Sequence, residues 1–287
     1  MKINCDYFWK EEEFLTGDNV EQLGDFVFDI DNFLIGDHGR QKLDIPEDVL
    51  INEQIKQINE REANIIYCYG HDSSKLLKNL DKINRPFKLI THNSDIGILK
   101  EYEPFLNNDK IIKWFGQNNA IDHPKTVTIP IAIARKEYAH GNIETISEYT
   151  KNNTKEFLVY KNFIKSTNIN DRTIVDEITT KNGIAMSTHT TFSTYLDFLS
   201  KSIFAISPPG NGIDCHRIWE CLYLKTIPIV KYHIQLKAFK DFPIFFIDNW
   251  NDVKIDFLRK NVNKINVFEK KLKKLSFNYW KSLIQEL

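Results

Sequence analysis

The sequence predicts an α/β protein of two domains, each built on a parallel sheet with helices against its faces. Three observations carry this. The chain has 287 residues, long for a single core and suited to two domains of moderate size. Short runs rich in β-branched and aromatic residues alternate with segments of helical spacing in both halves. A polar stretch at residues 137–155, rich in Asn, Glu, Thr and Lys, separates the halves and reads as the inter-domain connection. Two Rossmann-like domains facing a cleft, each doubly wound, fit this pattern.

In chain order, residues 25–31 read as a strand with polar ends, and 46–59 as a helix with Val49, Leu50, Ile55 and Ile58 on one side. Residues 63–69 form an apolar strand stopped at Gly70 to Ser74. A short helix at 76–83 precedes a strand at 87–90, which ends in Thr91-His92-Asn93-Ser94-Asp95. Residues 96–105 read as helix, and 111–115 as a strand running into Gly116-Gln117-Asn118-Asn119. A strand at 127–133 is interrupted by Pro130. Alternation resumes with strand 157–160, helix 173–180, helix 194–199 and strand 203–206. Strands at 226–230 and 242–247 follow, then a charged, amphipathic and mostly helical segment from 253 to 287.

Composition excludes several classes. Formal net charge is -1, against the basic balance expected of a protein that grips nucleic-acid phosphates. The four cysteines, Cys5, Cys68, Cys215 and Cys221, have no CxxC spacing, which argues against a zinc site and reads as free thiols. The first residues lack the apolar core of a signal peptide, and no segment approaches about 20 apolar residues. A cytoplasmic protein, or one loosely peripheral to a membrane, is the expectation.

The chemistry concentrates after the strand at 203–206. Ser207-Pro208-Pro209-Gly210-Asn211-Gly212 cannot continue a strand or occupy a helix interior, so it is a loop. Asp214 is placed to cap the following helix, read over 217–224, with Ile218, Cys221 and Leu222 on one face. Strand, glycine-rich loop, helix and strand together present backbone amides and a helix N-terminus to an anion. Arg217 suits a phosphate and Glu220 a pair of sugar hydroxyls. These residues point to a nucleotide-sugar site of a glycosyltransferase.

The stretch from Ser207 to Glu220, followed by Ile227-Pro228-Ile229-Val230, resembles the donor motif of exostosin-like glycosyltransferases, small viral and bacterial members included. Leu89 to Asp95, Trp114 to Pro130, and Phe277-Asn278-Tyr279-Trp280 resemble the same group, while the first 60 residues or so carry no placeable motif. The resemblance implies a GT-B fold. An acceptor-binding domain would span 1–140, a nucleotide-sugar-binding domain 150–265, and a C-terminal helix at 266–287 would cross back to the first domain through Phe277, Tyr279, Trp280 and Leu283. It implies that Glu220 holds the ribose hydroxyls and that Arg217 and Arg172 neutralise the diphosphate. Gly210, Asn211 and Gly212 would admit the phosphates, with Ser207, Pro209, Asp214 and His216 completing the donor set. His216 serves equally as phosphate donor or helix cap. Transfer would be inverting, from a UDP-sugar such as UDP-xylose, with GDP-sugars the alternative, to a glycan hydroxyl, with no bound metal or other cofactor. Lys225 departs from the family, standing where glycine is common, and predicts a different turn there.

An inverting transfer needs a general base. Asp72 and Asp95 rank ahead of His92 by position at strand ends, with Asp37 an outsider, and each acid serves equally as a turn or helix-cap residue. Gln117 and Asn118 line the acceptor side or satisfy their own loop. Asp29-Ile30-Asp31 is a DxD sequence, a weak metal signal that competes with the phosphate loop elsewhere. The lysines from 264 to 274 interleave with apolar residues and read as one solvated helix face. The rival functions are a nucleotide-sugar epimerase or hydrolase and a non-catalytic nucleotide-sugar-binding module.

Overall fold

The computed structural model describes residues 1–3, 7–31, 45–188, 191–264 and 272–287. Cys5, Asp37, Lys270 and Lys271 lie outside the described residues. The chain forms two compact units, one of Asp18–Pro130 with Ile284–Leu287, the other of Met1–Gly17 with Ile131–Leu283. The dividing point is therefore Pro130/Ile131, not the polar stretch at 137–155, and the first 17 residues go with the second sheet. That polar stretch is itself structured. The Asn142 carboxamide accepts from the Thr145 amide at 2.9 Å and caps a helix over Ile143–Thr150, which buries Ile146 and Thr150. No described helix is long and apolar enough to cross a membrane.

The first unit holds a five-stranded sheet, β1 (Phe26–Phe28), β2 (Ile65–Tyr69), β3 (Phe87–His92), β4 (Ile111–Gly116) and β5 (Thr126–Thr128), all parallel and in sequence order. One sheet face packs on Leu50, Ile51, Ile55 and Ile58 of the helix α1 (Glu47–Glu60) and on Leu76 and Leu77 of α2 (Ser73–Leu77). Those residues meet Ile66, Phe87, Leu89 and Trp114 from the strands. Pairing passes from Phe87 with Ile111 to Lys88 with Lys113, so Ile112 is an extra residue. This bulge lets Ile111 and Trp114, three apart, enter the same core. Residues 96–105, expected as helix, instead form a 3-10 segment at Lys100–Asn107 that contains Pro104. The strand expected to reach 133 stops at Thr128, since Pro130 has no amide for a ladder.

The second unit holds β6 (Phe157–Tyr160), β7 (Ser202–Ile206), β8 (Ile227–Lys231) and β9 (Phe245–Ile247), again parallel and in sequence order. Among the described residues neither sheet reverses its strand order, so neither shows the switch point that defines a doubly wound sheet. Both are one-directional β-α-β series. After the Asn142-capped helix α3 (Ile143–Thr150) come α4 (Ile169–Lys181), α5 (Phe192–Ser200), α6 (His216–Tyr223), α7 (Ile255–Lys260) and α8 (Phe277–Glu286). Asn168 caps α4 and Thr191 caps α5 through their side chains. Buried Lys155 donates to Ser200 O at 2.6 Å, Leu224 O at 3.1 Å and Thr226 Oγ1 at 3.0 Å. One ammonium thus serves the C-terminal ends of α5 and α6, where the helix dipoles favour a cation. Its burial lowers the pKa. The last turn of α8 belongs to the first unit, where Lys88 Nζ donates to Ile284 O at 2.7 Å and Gln285 O at 2.9 Å.

The end of α6 corrects the expectation for Lys225. Its φ is +56°, in the left-handed region where glycine is favoured. Lys225 N donates to Leu222 O and Thr226 N to Cys221 O, the paired bonds of a glycine-type helix stop. The turn is the usual one, made by a lysine whose Nζ reaches Thr150 O at 3.1 Å and Asn153 Oδ1 at 2.6 Å.

Candidate active site

In the second unit, two arginines are held by carbonyls at the carboxyl ends of neighbouring strands. Arg172 projects from α4, and its Nε donates to Pro209 O at 2.8 Å, its Nη1 to Ile164 O at 2.6 Å. Arg217, near the start of α6, donates from Nη1 to Asn162 O, and its buried Nε has no partner. The carbonyls that hold them follow β6 and β7, where ligands of parallel sheets bind. Among the described residues neither arginine forms an ion pair within 4 Å of a carboxylate. Burial first, and then the charge of Arg217, lower the pKa of Arg172, which puts the guanidinium groups within electrostatic reach of each other. Two cations oriented by neutral carbonyls leave net positive charge for an anion.

The loop between β7 and α6 keeps close to Arg172. A Cβ on Gly210 would lie 3.1 Å from Arg172 Nη2, so a side chain there would push the guanidinium aside. Asn168 Nδ2 holds Gly210 O at 3.0 Å, and Gly210 N closes onto Gly212 O at 3.0 Å. Asn211 is exposed and Gly212 buried. Glu220, one turn into α6, is 4% exposed, and its Oε2 accepts from the Tyr195 hydroxyl at 2.6 Å.

Three donor-set residues sit differently from expectation. Ser207 is fully buried and turns its hydroxyl back to Ala205 O at 3.3 Å. Asp214 does not cap α6, whose N-cap is Cys215 with no side-chain bond. Its Oδ2 instead accepts from Ile131 N at 2.8 Å and its Oδ1 from Trp219 Nε1 at 2.6 Å. His216 Nδ1 lies 2.8 Å from Ala132 O, and since a carbonyl only accepts, that nitrogen is the donor. Asp214 and His216 thus fasten the Ile131-Ala132 segment, in which Ala132 has a φ of +54°.

Burial pushes the Asp214 carboxyl up to about 7, against the pull of its two hydrogen bonds. Its unfolded value is near 3.9, so the folded state binds the extra proton between those limits. Stability from this group is full below about pH 4 and falls as pH rises through 7. His92, lowered to about 4 by burial, slopes the opposite way, losing stability as pH falls. Asp214→Asn therefore isolates the first effect. The stability advantage of the parent over the variant should shrink by about 4 kcal/mol between pH 4 and pH 8, read by urea unfolding. A difference that stays constant with pH would contradict the raised carboxyl.

The first unit brings the other candidates to the carboxyl edge of β2, β3 and β4. Asp72 is fully buried, accepting at Oδ2 from Ile30 N at 2.7 Å and Asp31 N at 3.2 Å, and at Oδ1 from Lys75 Nζ at 2.9 Å. It ties the end of β1 to α2. Asp31, His71 and Asp72 cluster with metal-ligand spacing, but Lys75 Nζ already bonds both carboxylates, so a cation of the chain occupies the place of an ion. His92 is buried with Nε2 3.0 Å from Pro130 O, which makes Nε2 the protonated nitrogen. Asp95 is exposed, caps no helix, and has no hydrogen-bond or ion-pair partner among the described residues. Gln117 is buried, donates from Nε2 to Ser94 O, and leaves Oε1 without a donor. Asn118, at φ +49°, packs on Gly97, where a Cβ would come within 2.2 Å of Asn118 O. Gln117 and that close approach lock the loops after β3 and β4 together beside Asp95.

Sequence reading missed Tyr195, Asn162 and Ile164. A tyrosine on an amphipathic helix looks like any core aromatic, and carbonyl acceptors carry no residue signature.

The second unit is thus a parallel α/β unit with two arginines and a carboxylate at its strand ends, and its family is that of glycosyltransferases. Residues 133–286 match the family described as the RXYLT1 C-terminal domain, and the chain belongs to that xylosyltransferase-related, exostosin-like family. Among solved structures, the glycosyltransferase SsfS6 of Streptomyces sp. SF2575 is similar at a TM-score of 0.39 and 9% identity, over 90% of this chain and 84% of that one. Comparison with curated proteins gives no match.

Proposed function

We propose that the chain transfers a sugar from a UDP-sugar, UDP-xylose foremost, to a glycan hydroxyl with inversion at the anomeric carbon. The observation that carries this reading is the pair Arg172 and Arg217, held by backbone carbonyls beside the Gly210–Gly212 backbone with no carboxylate ion-paired to either among the described residues. The guanidinium groups take the diphosphate, and their charge rises in value as the leaving group becomes more anionic. Glu220 takes the ribose hydroxyls. Ser207, Asp214 and His216 support the loop from behind. Asp95 on the first unit is the base, because Asp72 is saturated by three donors and His92 is buried with one nitrogen committed. Arg172 and Arg217 supply positive charge of the sort a divalent ion supplies elsewhere, so transfer proceeds without added metal.

The test is UDP release from a panel of UDP-sugars, with and without simple sugar acceptors. Acceptor-dependent release, fastest with UDP-xylose and undiminished by a chelator, is expected. Release that ignores the acceptor would make the chain a hydrolase, and binding without turnover would make it a recognition module.

A further inference from the structure

Tyr195 sits where two oppositely charged side chains of one helix would otherwise meet. Arg217 and Glu220 are three residues apart on α6, a spacing at which Arg and Glu side chains are neighbours and pair. They form no ion pair here. The Arg217 guanidinium carbon lies 5.3 Å from the Tyr195 ring centroid, and the same residue's hydroxyl donates to Glu220 Oε2 at 2.6 Å. The ring faces the cation while the hydroxyl holds the anion, so each charge is satisfied without reaching the other. Tyr160 backs the ring at 6.0 Å between centroids, and α5 fixes its position through the Thr191 cap. An ionised carboxylate only accepts, so the phenol must stay the donor. Burial chiefly, and the Glu220 charge after it, outweigh Arg217 and keep the phenol protonated.

We infer that Tyr195 is a positioning residue that prevents an Arg217–Glu220 ion pair, reserving Arg217 for a diphosphate and aiming the remaining Glu220 oxygen at a ribose diol. The inference rests on the donor-site reading above and adds a division of labour within Tyr195. Its ring protects the phosphate site, and its hydroxyl sets sugar discrimination.

Titration of UDP and 2′-deoxy-UDP by calorimetry separates these roles. The parent should prefer UDP by about tenfold or more, the value of a hydrogen bond to a charged group. Tyr195→Phe keeps the ring and should leave 2′-deoxy-UDP affinity within about threefold of the parent, while the preference for UDP falls toward unity. Tyr195→Ala loses both roles and should weaken both nucleotides about tenfold or more. Tyr195→Phe that retains the parent's full preference overturns the inference and leaves the donor site standing. If the parent binds neither nucleotide, the donor-site reading itself is wrong. Should Tyr195→Ala fail to fold, Glu220→Gln is the substitute. It removes the carboxylate that orders the diol and should show the same lost preference, and an unchanged preference would count against the inference.

Discussion

Glu220→Ala is expected to weaken UDP binding at least about 100-fold, with the fold intact by circular dichroism. Two ribose hydroxyls donating to one carboxylate are worth about 1.5–3 kcal/mol each, and loss of both exceeds that threshold. The truncation also leaves the Tyr195 hydroxyl, now bonded at 2.6 Å to Oε2, without its acceptor. That second cost falls on stability, so the melting temperature should drop by a few degrees while affinity collapses. Two of the site's charged residues are buried: Glu220 is 4% and Arg172 6% exposed. A ligand entering it meets charges whose described partners are neutral groups, and this is where charge-assisted bonds are strongest. A Glu220→Ala protein that binds UDP as tightly as the parent would remove the donor assignment.

The second large effect is on turnover. Asp95→Asn should cut kcat by about 10²–10⁴-fold and leave UDP affinity unchanged. Asn keeps the shape and exposure of the side chain but cannot take a proton from the acceptor hydroxyl. Asp95 stands at the carboxyl edge of β3, braced by the interlocked loops of Gly97 and Gln117, with no described partner to compete for the proton. Asp72→Asn should act otherwise. Its oxygens hold Ile30 N, Asp31 N and Lys75 Nζ, so replacement costs stability first and rate only through it. If Asp95→Asn turns over at the parental rate while Asp72→Asn at full folding does not, the base assignment passes to Asp72.

What the sequence revealed follows from how local each signal is. The strand alternation and the Pro-Pro-Gly-Asn-Gly loop are read within a few residues, and both sheets and the α6 start lie close to where those patterns put them. Arg172 and Arg217 were recognisable by type, and the structure adds the carbonyl acceptors that bring them together. Asp214 misled because an acid before a helix has the pattern of a cap, yet its partners, Ile131 N and Trp219 Nε1, are distant in sequence or hidden in the helix. The 137–155 segment misled because polar composition resembles a linker, while one Asn cap and two buried residues suffice to make it a packed helix. Monotonic strand order had no sequence signal, since alternation is the same whichever edge each strand joins.

The division of the chain has a consequence for how the molecule is made. The second unit is discontinuous, because Met1–Gly17 joins Ile131–Leu283. Trp9 and Phe14 pack on the Tyr223 ring at 4.8 and 4.7 Å, and the Tyr223 hydroxyl accepts from Leu15 N while donating to Leu275 O. During synthesis the first 17 residues therefore leave the ribosome long before their partners exist. Trp9 and Phe14 can reach Tyr223 only after every residue of the five-stranded sheet has been made. A fragment beginning at residue 133, where the family match begins, would lack those aromatics and leave Tyr223 without them at the far end of the helix that carries Arg217 and Glu220.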